Sequence, residues 1–180
     1  ASYLDDQDIF IEELNSSNPN LYRTEEGWKN LKIDKQYIKI KNAPDIEIKR
    51  EWTSNGPVLP KNAFDLSSIT PKNHVATLSW TALTGKDTTI SAAINLMVSQ
   101  NVQKGLESLE DFHAPSLNFL LVDSEKMVLK TVGKMPRRSP LNETQGRMPS
   151  IGWKSENKWR GYWGYEVNPI IESSPGDILG

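Results

Sequence analysis

A short apolar strand that contains an amide, followed by a turn and a second strand, constrains this sequence more than any other feature. Leu117 to Val122 is an apolar, strand-forming run, residues 123–126 are polar, and Met127 to Val132 alternates in polarity. The pattern predicts a hairpin that carries Asn118. Asparagine is disfavoured in strands because its side chain competes for backbone hydrogen bonds. Asn118 is therefore either a satisfied structural amide or an amide directed at a ligand.

Composition excludes several classes of protein. The 180 residues suit one domain of ordinary size, although 37% hydrophobic content makes it a polar one. A net charge of -2 gives no basic field for nucleic acid, and no block of Lys and Arg is long enough to hold a membrane surface. Because the chain has no cysteine, disulfides, thiolate metal sites and a Cys nucleophile are excluded. No apolar run approaches the roughly 20 residues of a membrane span.

The remaining patterns predict an α+β fold, mostly antiparallel sheet with one helical hairpin. Residues 1–81 are β-rich. Within them, runs at 36–41 and 46–52 alternate in polarity and predict a hairpin of two strands, joined by four polar residues, with one solvent-exposed face. Residues 87–113 form the helical hairpin, and residues 114–180 hold the β-hairpin and aromatic, Gly-rich loops. We treat 1–180 as a single segment.

The first helix is expected to begin at Asp87 as its N-cap and to have one apolar face. That face consists of Ile90, Ala93, Ile94 and Met97. The second helix is expected to start at Asn101 and to bury Val102, Leu106, Leu109 and Phe112. Met97 and Phe112 are interpreted as core residues, and His113 as the residue that ends the helix.

Two charged clusters are candidate sites. Asp5, Asp6 and Asp8 crowd three carboxylates together; either this is a solvated acidic turn, or a hard cation such as calcium neutralises it. Arg137 and Arg138 are either surface charge or a fixed fork of donors beside an oxyanion or an amine.

An aromatic and Gly-rich run between residues 146 and 165 supplies the main alternative function. It is either a sugar-stacking platform or aromatic packing in a loop-rich wall. Its aromatic members are Trp153, Trp159, Tyr162, Trp163 and Tyr165.

A series of motifs follows one order and spacing along the chain, at residues 5–12, 55–58, 78–83, 114–119, 133–138, 146–149, 152–153, 159–162, 168–169 and 174–176. Together they resemble the β chain of the penicillin acylases, which are N-terminal-nucleophile hydrolases with an αββα fold. In that family the nucleophile is an N-terminal Ser upstream of the first motif. We therefore expect this chain to be an internal fragment, cut at both ends and inactive alone.

The resemblance assigns roles to particular residues. It implies oxyanion donors at the Asn118 side chain and the Ala1 backbone N–H, and an active-site arginine at Arg138, with Arg137 as an alternative. It also implies a structural calcium held by Asp5, Asp8 and the backbone carbonyl of Gln7. Relatives usually carry His where this chain has Asn55, so we assign Asn55 no catalytic role.

The resemblance further implies partners and a location. The partners are a small N-acyl substrate and the rest of the precursor, its α chain and the remainder of its β chain, with no nucleic acid or membrane. Unpaired strand edges would allow a dimer. The protein would be periplasmic or secreted. Penicillin-type amides, phenylacetyl amides and acyl-homoserine lactones stay open as substrates, and a non-catalytic β-rich module that binds carbohydrate or a partner is the alternative.

Overall fold

The computed structural model describes residues 5–174 and 176. Contacts between these residues divide the chain into two compact units. The first unit contains Thr81–Arg137 with the described residues of Ala1–Asp6 and Arg160–Gly180, and the second contains Gln7–Trp80 and Arg138–Trp159. Each unit has its own sheet or sheets and its own buried residues.

Strands outnumber helices in the described residues, which confirms the predicted α+β class. The strands are β1 (Gln7–Glu13), β2 (Leu21–Thr24), β3 (Gly27–Asn30), β4 (Lys32–Ile38), β5 (Ile46–Thr53), β6 (Gly56–Pro57), β7 (His74–Trp80), β8 (Leu117–Val122), β9 (Met127–Val132), β10 (Ser150–Ile151) and β11 (Ile170–Ser173). The helices are α1 (Thr89–Met97) and α2 (Val102–Leu109), and short 3₁₀ turns lie at Ala63–Ser68, Ser155–Asn157 and Tyr165–Val167. Within this described part of the chain, no helix has the length and apolar character needed to cross a membrane.

The first unit is built on an antiparallel sheet with the strand order β11-β9-β8. The hairpin of β8 and β9 has the predicted boundaries. Its turn is closed by Asp123, whose Oδ1 accepts the backbone N–H groups of Glu125 at 2.9 Å and Lys126 at 3.0 Å. An Asp that bonds the backbone two residues on favours such a turn.

One face of this sheet packs on the helices. The buried cluster consists of Ala92, Leu109, Phe112 and Val132, and partly buried Leu117, Phe119 and Leu121 pack against it. Phe112 and Phe119 meet edge to face with ring centroids 5.5 Å apart, a favoured aromatic geometry. The predicted burial of Phe112 and of the apolar side of α2 is therefore confirmed.

Helix α1 differs from the expectation in which side it buries. Ala92 is 0% exposed whereas Met97 is 84% exposed, and Ile90 and Ile94 are exposed too. The prediction that Met97 belongs to the core is wrong, because α1 packs through the small side chain of Ala92, which allows closer contact than the larger face would. The start of α1 also differs: Thr88 is the cap residue, with no side-chain cap bond.

The second unit is centred on β1, in the sheet order β10-β1-β7. β1 runs antiparallel to β7 along its whole length and parallel to β10. Alternation along β1 buries Asp8, Phe10 and Glu12 on one side. Two of the three side chains on this buried side are therefore carboxylates, each of which needs polar partners.

The β4–β5 hairpin of the second unit corrects another expectation. β4 ends at Ile38 and is joined to β5 by residues 39–45, so the strand stops short of the predicted residue 41. Both faces of β4 are largely exposed, and Ile46 and Ile48 are exposed on β5. The expectation that only one face of this hairpin is solvent-exposed is wrong, because no described residue of this unit forms a layer over the other face.

Candidate active site

Asn118 lies in the first unit on β8, with its side chain on the exposed face of the strand. Thr131 is directly opposite on β9 and donates its hydroxyl to Asn118 Oδ1 at 2.8 Å. Asn118 Nδ2 has no hydrogen-bond partner among residues 5–174 and 176. The carbonyl end of the amide is fixed, and its two N–H donors remain available to a ligand.

The alternation of β8 explains why this amide points outward. Leu117, Phe119 and Leu121 pack against the buried cluster of the first unit. Successive side chains of a strand point to opposite faces, so Asn118 must lie on the other one. Of the two interpretations drawn from the sequence, a structural amide fully satisfied by the protein does not fit this geometry, since Nδ2 has no partner in the described part of the chain. The catalytic role of Asn118 stays a prediction.

Arg138 lies in the second unit and is bound to Asp8. Its Nε donates to Asp8 Oδ2 at 2.9 Å and its Nη2 donates to Asp8 Oδ1 at 2.8 Å. The indole N–H of Trp159 also donates to Asp8 Oδ2, at 2.5 Å. The side chains of Arg138 and Asp8 are only 7% and 4% exposed. Two parallel bonds between guanidinium and carboxylate fix the plane of the arginine fork.

Gly146 closes one side of this ion pair. Its φ of +78° is in the region that favours glycine. A Cβ there would lie 2.5 Å from Arg138 Nη2 and 2.6 Å from Asp8 Oδ1. No local pattern in the sequence assigns this role to Gly146 or Trp159, because Asp8 and Trp159 lie 151 residues apart in the chain.

Arg137 has a different environment. It belongs to the first unit, and its Nε and Nη2 donate to the backbone carbonyl of Arg160 at 3.2 and 2.9 Å. These bonds hold a loop, and the side chain is exposed. Of the two adjacent arginines, Arg138 has the buried, carboxylate-bound guanidinium.

The three predicted calcium ligands are all described, and they do not belong to one unit. Asp5 is exposed and belongs to the first unit, whereas Gln7 and Asp8 belong to the second, and Ala1, the predicted backbone donor, lies outside the described residues. Both carboxylate oxygens of Asp8 accept bonds from protein donors. To serve as a calcium ligand, Asp8 would have to release these donors, so its arrangement here does not fit that role. The calcium site stays a prediction.

Glu12 forms a second buried polar cluster in the second unit. Its Oε1 accepts bonds from Asn55 Nδ2 at 2.8 Å, Thr53 Oγ1 at 2.9 Å and Thr77 Oγ1 at 3.4 Å. Asn55 also donates to the carbonyl of Gly152 at 2.9 Å. Burial raises the pKa of Glu12, and the bonds from Asn55, Thr53 and Thr77 oppose that shift. Asn55 thus supports a buried carboxyl, a structural role.

The aromatic run is divided between the two units, and three of its rings have polar or charged partners. In the second unit the ring of Trp153 faces the Arg23 guanidinium at 5.0 Å, and in the first unit the ring of Tyr165 faces Lys130 Nζ at 4.3 Å. Trp159 donates to Asp8. Each of these rings is engaged by a partner within its own unit, as expected of aromatic packing.

His113 is buried in the first unit, four residues after α2 ends at Leu109. The expectation that it ends the helix is therefore wrong. Burial lowers its pKa below the ordinary value of 6.5, so the imidazole is neutral at pH 7. It meets Tyr162 edge to face, with ring centroids 5.7 Å apart.

Comparison with known proteins defines the class to which this fold and these residues belong. The family model for penicillin amidase matches residues 1–180, the whole length of the sequence. The chain belongs to the penicillin amidase family, as its motifs predicted.

Individual relatives agree with this assignment. The chain is 26% identical over 179 residues to the acyl-homoserine lactone acylase QuiP of Pseudomonas fluorescens, covering 95% of this chain and 20% of that protein. It is 24% identical over 178 residues to QuiP of Pseudomonas aeruginosa, covering 96% and 20%. It therefore spans about a fifth of the length of these curated relatives.

The fold is also that of a solved acylase. The thermostable penicillin G acylase from Alcaligenes faecalis superposes with a TM-score of 0.79 at 20% identity, covering 94% of this chain and 29% of that one. At this identity the likeness concerns the fold, and it confirms the predicted α+β architecture.

Proposed function

We propose that this chain is part of an amidohydrolase that cleaves the amide of an N-acyl compound through an acyl-enzyme. The family supports an acylase, and one observation in the chain carries the proposal: the half-free amide of Asn118, exposed on β8 and oriented by Thr131. An amide held by its oxygen and open at its nitrogen suits a site that must donate to a new negative charge.

The proposed reaction begins with an N-terminal Ser outside this chain. Its hydroxyl oxygen attacks the amide carbonyl while its own α-amine takes the proton. The carbonyl oxygen becomes an oxyanion, and an N–H of Asn118 donates to it, together with the backbone N–H assigned to Ala1. The C–N bond then breaks as the nitrogen of the leaving group receives the proton from the α-amine. Water hydrolyses the ester that remains on the serine. Asn118 acts without reorganising, since Thr131 already holds its carbonyl end.

Arg138 is proposed to orient the nucleophilic amine. A guanidinium stays charged at every accessible pH, so it can fix and polarise a neighbouring group without titrating. Its bonds to Asp8 leave the cation in one orientation.

The substrate is proposed at the level of an N-acyl amide. Two of the relatives are named as acylases of acyl-homoserine lactones, and the solved neighbour as an acylase of penicillin G. Both classes contain an acyl group on an amide nitrogen, which is the bond that the proposed chemistry breaks. Export from the cytoplasm and assembly with the rest of the precursor belong to the same proposal.

The test is Asn118→Ala in the mature full-length enzyme. Loss of one oxyanion donor should lower kcat on the order of 10² to 10³-fold with little change in KM. Because Asn118 is exposed, the variant should fold as the wild type does.

Val122→Ala is the matched control, since Val122 lies on the same exposed face of β8 and has no polar group. It should keep the wild-type kcat. Full activity in Asn118→Ala would refute the role of this amide.

A further inference from the structure

The Asp8–Arg138 ion pair is buried and joined by two hydrogen bonds, and its contribution to stability does not explain this arrangement. Removing two charges from water costs about as much as their attraction returns, so a buried ion pair is weak evidence for stability. Here the two side chains are nearly inaccessible, and they share two parallel bonds. Such an arrangement defines the position and orientation of a guanidinium, which apolar packing cannot do.

Two further residues restrict the carboxylate and the guanidinium. Trp159 donates to Asp8 Oδ2, the same oxygen that accepts the Arg138 Nε–H, so the carboxylate cannot rotate without losing a bond. Gly146 leaves no space on its side for a side chain, because its backbone lies against both members of the pair. The fork is therefore fixed in plane by Asp8 and Trp159 and blocked on one side by Gly146.

We propose that Asp8 and Trp159 are positioning residues for Arg138, and that Asp8 serves this arginine in place of a calcium ion. The proposal rests on the proposed function for the role of Arg138 and extends it to residues that the sequence had assigned to a metal site or to packing. A guanidinium that must orient an amine needs a fixed plane, and a misplacement of 1 Å can cost on the order of 10²-fold in rate.

The test is a double-mutant cycle in the mature full-length enzyme with Asp8→Asn and Arg138→Ala. Asp8→Asn keeps the shape of the side chain and removes its charge. It should lower kcat on the order of 10²-fold while KM stays near the wild-type value. Once Arg138→Ala is present, adding Asp8→Asn should cause little further loss, because the residue that it positions is gone.

Trp159→Phe should give a smaller loss of kcat, since it keeps an aromatic ring and removes the N–H donor together with part of the indole. Glu13→Gln is the matched control for Asp8→Asn. Glu13 lies on β1, as Asp8 does, and its carboxylate pairs with Arg23 at the surface, at 2.8 Å. It should leave kcat unchanged. The urea midpoint of each variant should show the same coupling between Asp8 and Arg138, because each charge left alone in the interior is destabilising.

Four results would overturn the proposal. Additive losses in kcat from the two substitutions would show that Asp8 acts independently of Arg138. Recovery of Asp8→Asn activity by added calcium chloride would assign Asp8 to a metal site. Normal kcat in Arg138→Ala, with Asn118→Ala inactive, would remove the role of Arg138 and of its positioning residues, and would leave the acyl-enzyme reaction at Asn118 intact. A wild type without amide hydrolysis would overturn both proposals.

Discussion

Glu12 shows what a single buried carboxyl does to this fold. It is 0% exposed, and all its bonds are made by one oxygen; Oε2 has no partner among the described residues. Gly152 is required beside it, since a Cβ there would lie 2.2 Å from Oε2. The sequence predicted the strand, but alternation gives no sign that a buried position holds a carboxyl, nor that Asn55 reaches it from 43 residues away.

The raised pKa of Glu12 predicts a pH dependence of stability. A carboxyl whose pKa is higher in the folded state than its ordinary value of 4.5 stabilises the fold below that value, and this contribution is lost as pH rises through the folded pKa. Glu12→Gln should remove this loss, so the difference in urea midpoint between variant and wild type should move in favour of the variant as pH rises from about 4 to about 8. A pH-independent difference would contradict the assignment.

Asn118 shows what could be predicted at one position. Alternation along the strand places its side chain on the face opposite to that of Leu117 and Phe119. The four-residue turn makes Thr131 its cross-strand partner. Whether the amide was satisfied depended on the hydroxyl geometry of Thr131, which the sequence does not contain.

At the scale of elements, the accuracy of the prediction follows the strength of the local signals. The β8–β9 hairpin was predicted to the residue because the turn has its own chemistry in Asp123. The start of α2 was predicted correctly because Asn101 caps it, whereas its end, expected at His113, lies at Leu109. Helix α1 was placed to within one residue at its start, but its buried side was predicted wrongly. Periodicity identifies an apolar face and cannot say that a small residue makes the closest contact.

The start of α2 is a test of this local chemistry. Asn101 Oδ1 accepts the Lys104 N–H at 2.9 Å, and Asp123 Oδ2 accepts the Val102 N–H at 2.9 Å. Asn101→Ala should lower the free energy of unfolding by about 1 kcal/mol. Asp123→Ala should cost more, because it also opens the β8–β9 turn.

The stability lost in Asp123→Ala, beyond that lost in Asn101→Ala, should depend on pH. Backbone N–H groups of Val102, Glu125 and Lys126 lower the pKa of Asp123 below its ordinary value of 3.8, so its contribution is present above that value and is lost as pH falls through the folded pKa. Urea unfolding at several pH values measures this. Asn95→Ala makes the same exchange inside α1 and is the control; it should leave the free energy of unfolding unchanged or raise it slightly. A loss equal to that of Asn101→Ala would show that the cap is not the cause.

At the scale of the whole molecule, the motifs predict the family from the sequence alone, because their order and spacing extend over nearly the whole chain. What they could not predict is the division into two units, with Asn118 in one and Arg138 in the other. That division depends on contacts between distant parts of the sequence, such as the bond between Asp8 and Arg138.

The exposed residues of the first unit also belong to this scale. Leu120, Val122 and Ile171 are exposed on its sheet, and β8 is an edge strand of the sheet in the described residues. An open apolar sheet face and edge are features that a partner surface would cover. Dimerisation through this edge stays a prediction.

The most direct test of the central claim compares an N-acyl amide substrate with its thioamide, in the mature full-length enzyme and in Asn118→Ala. Sulfur accepts hydrogen bonds weakly, so a donor aimed at the carbonyl oxygen favours the amide. We predict that the ratio of kcat/KM for amide over thioamide is large in the wild type and falls substantially in Asn118→Ala. The same ratio in both enzymes would show that Asn118 does not donate to the developing oxyanion.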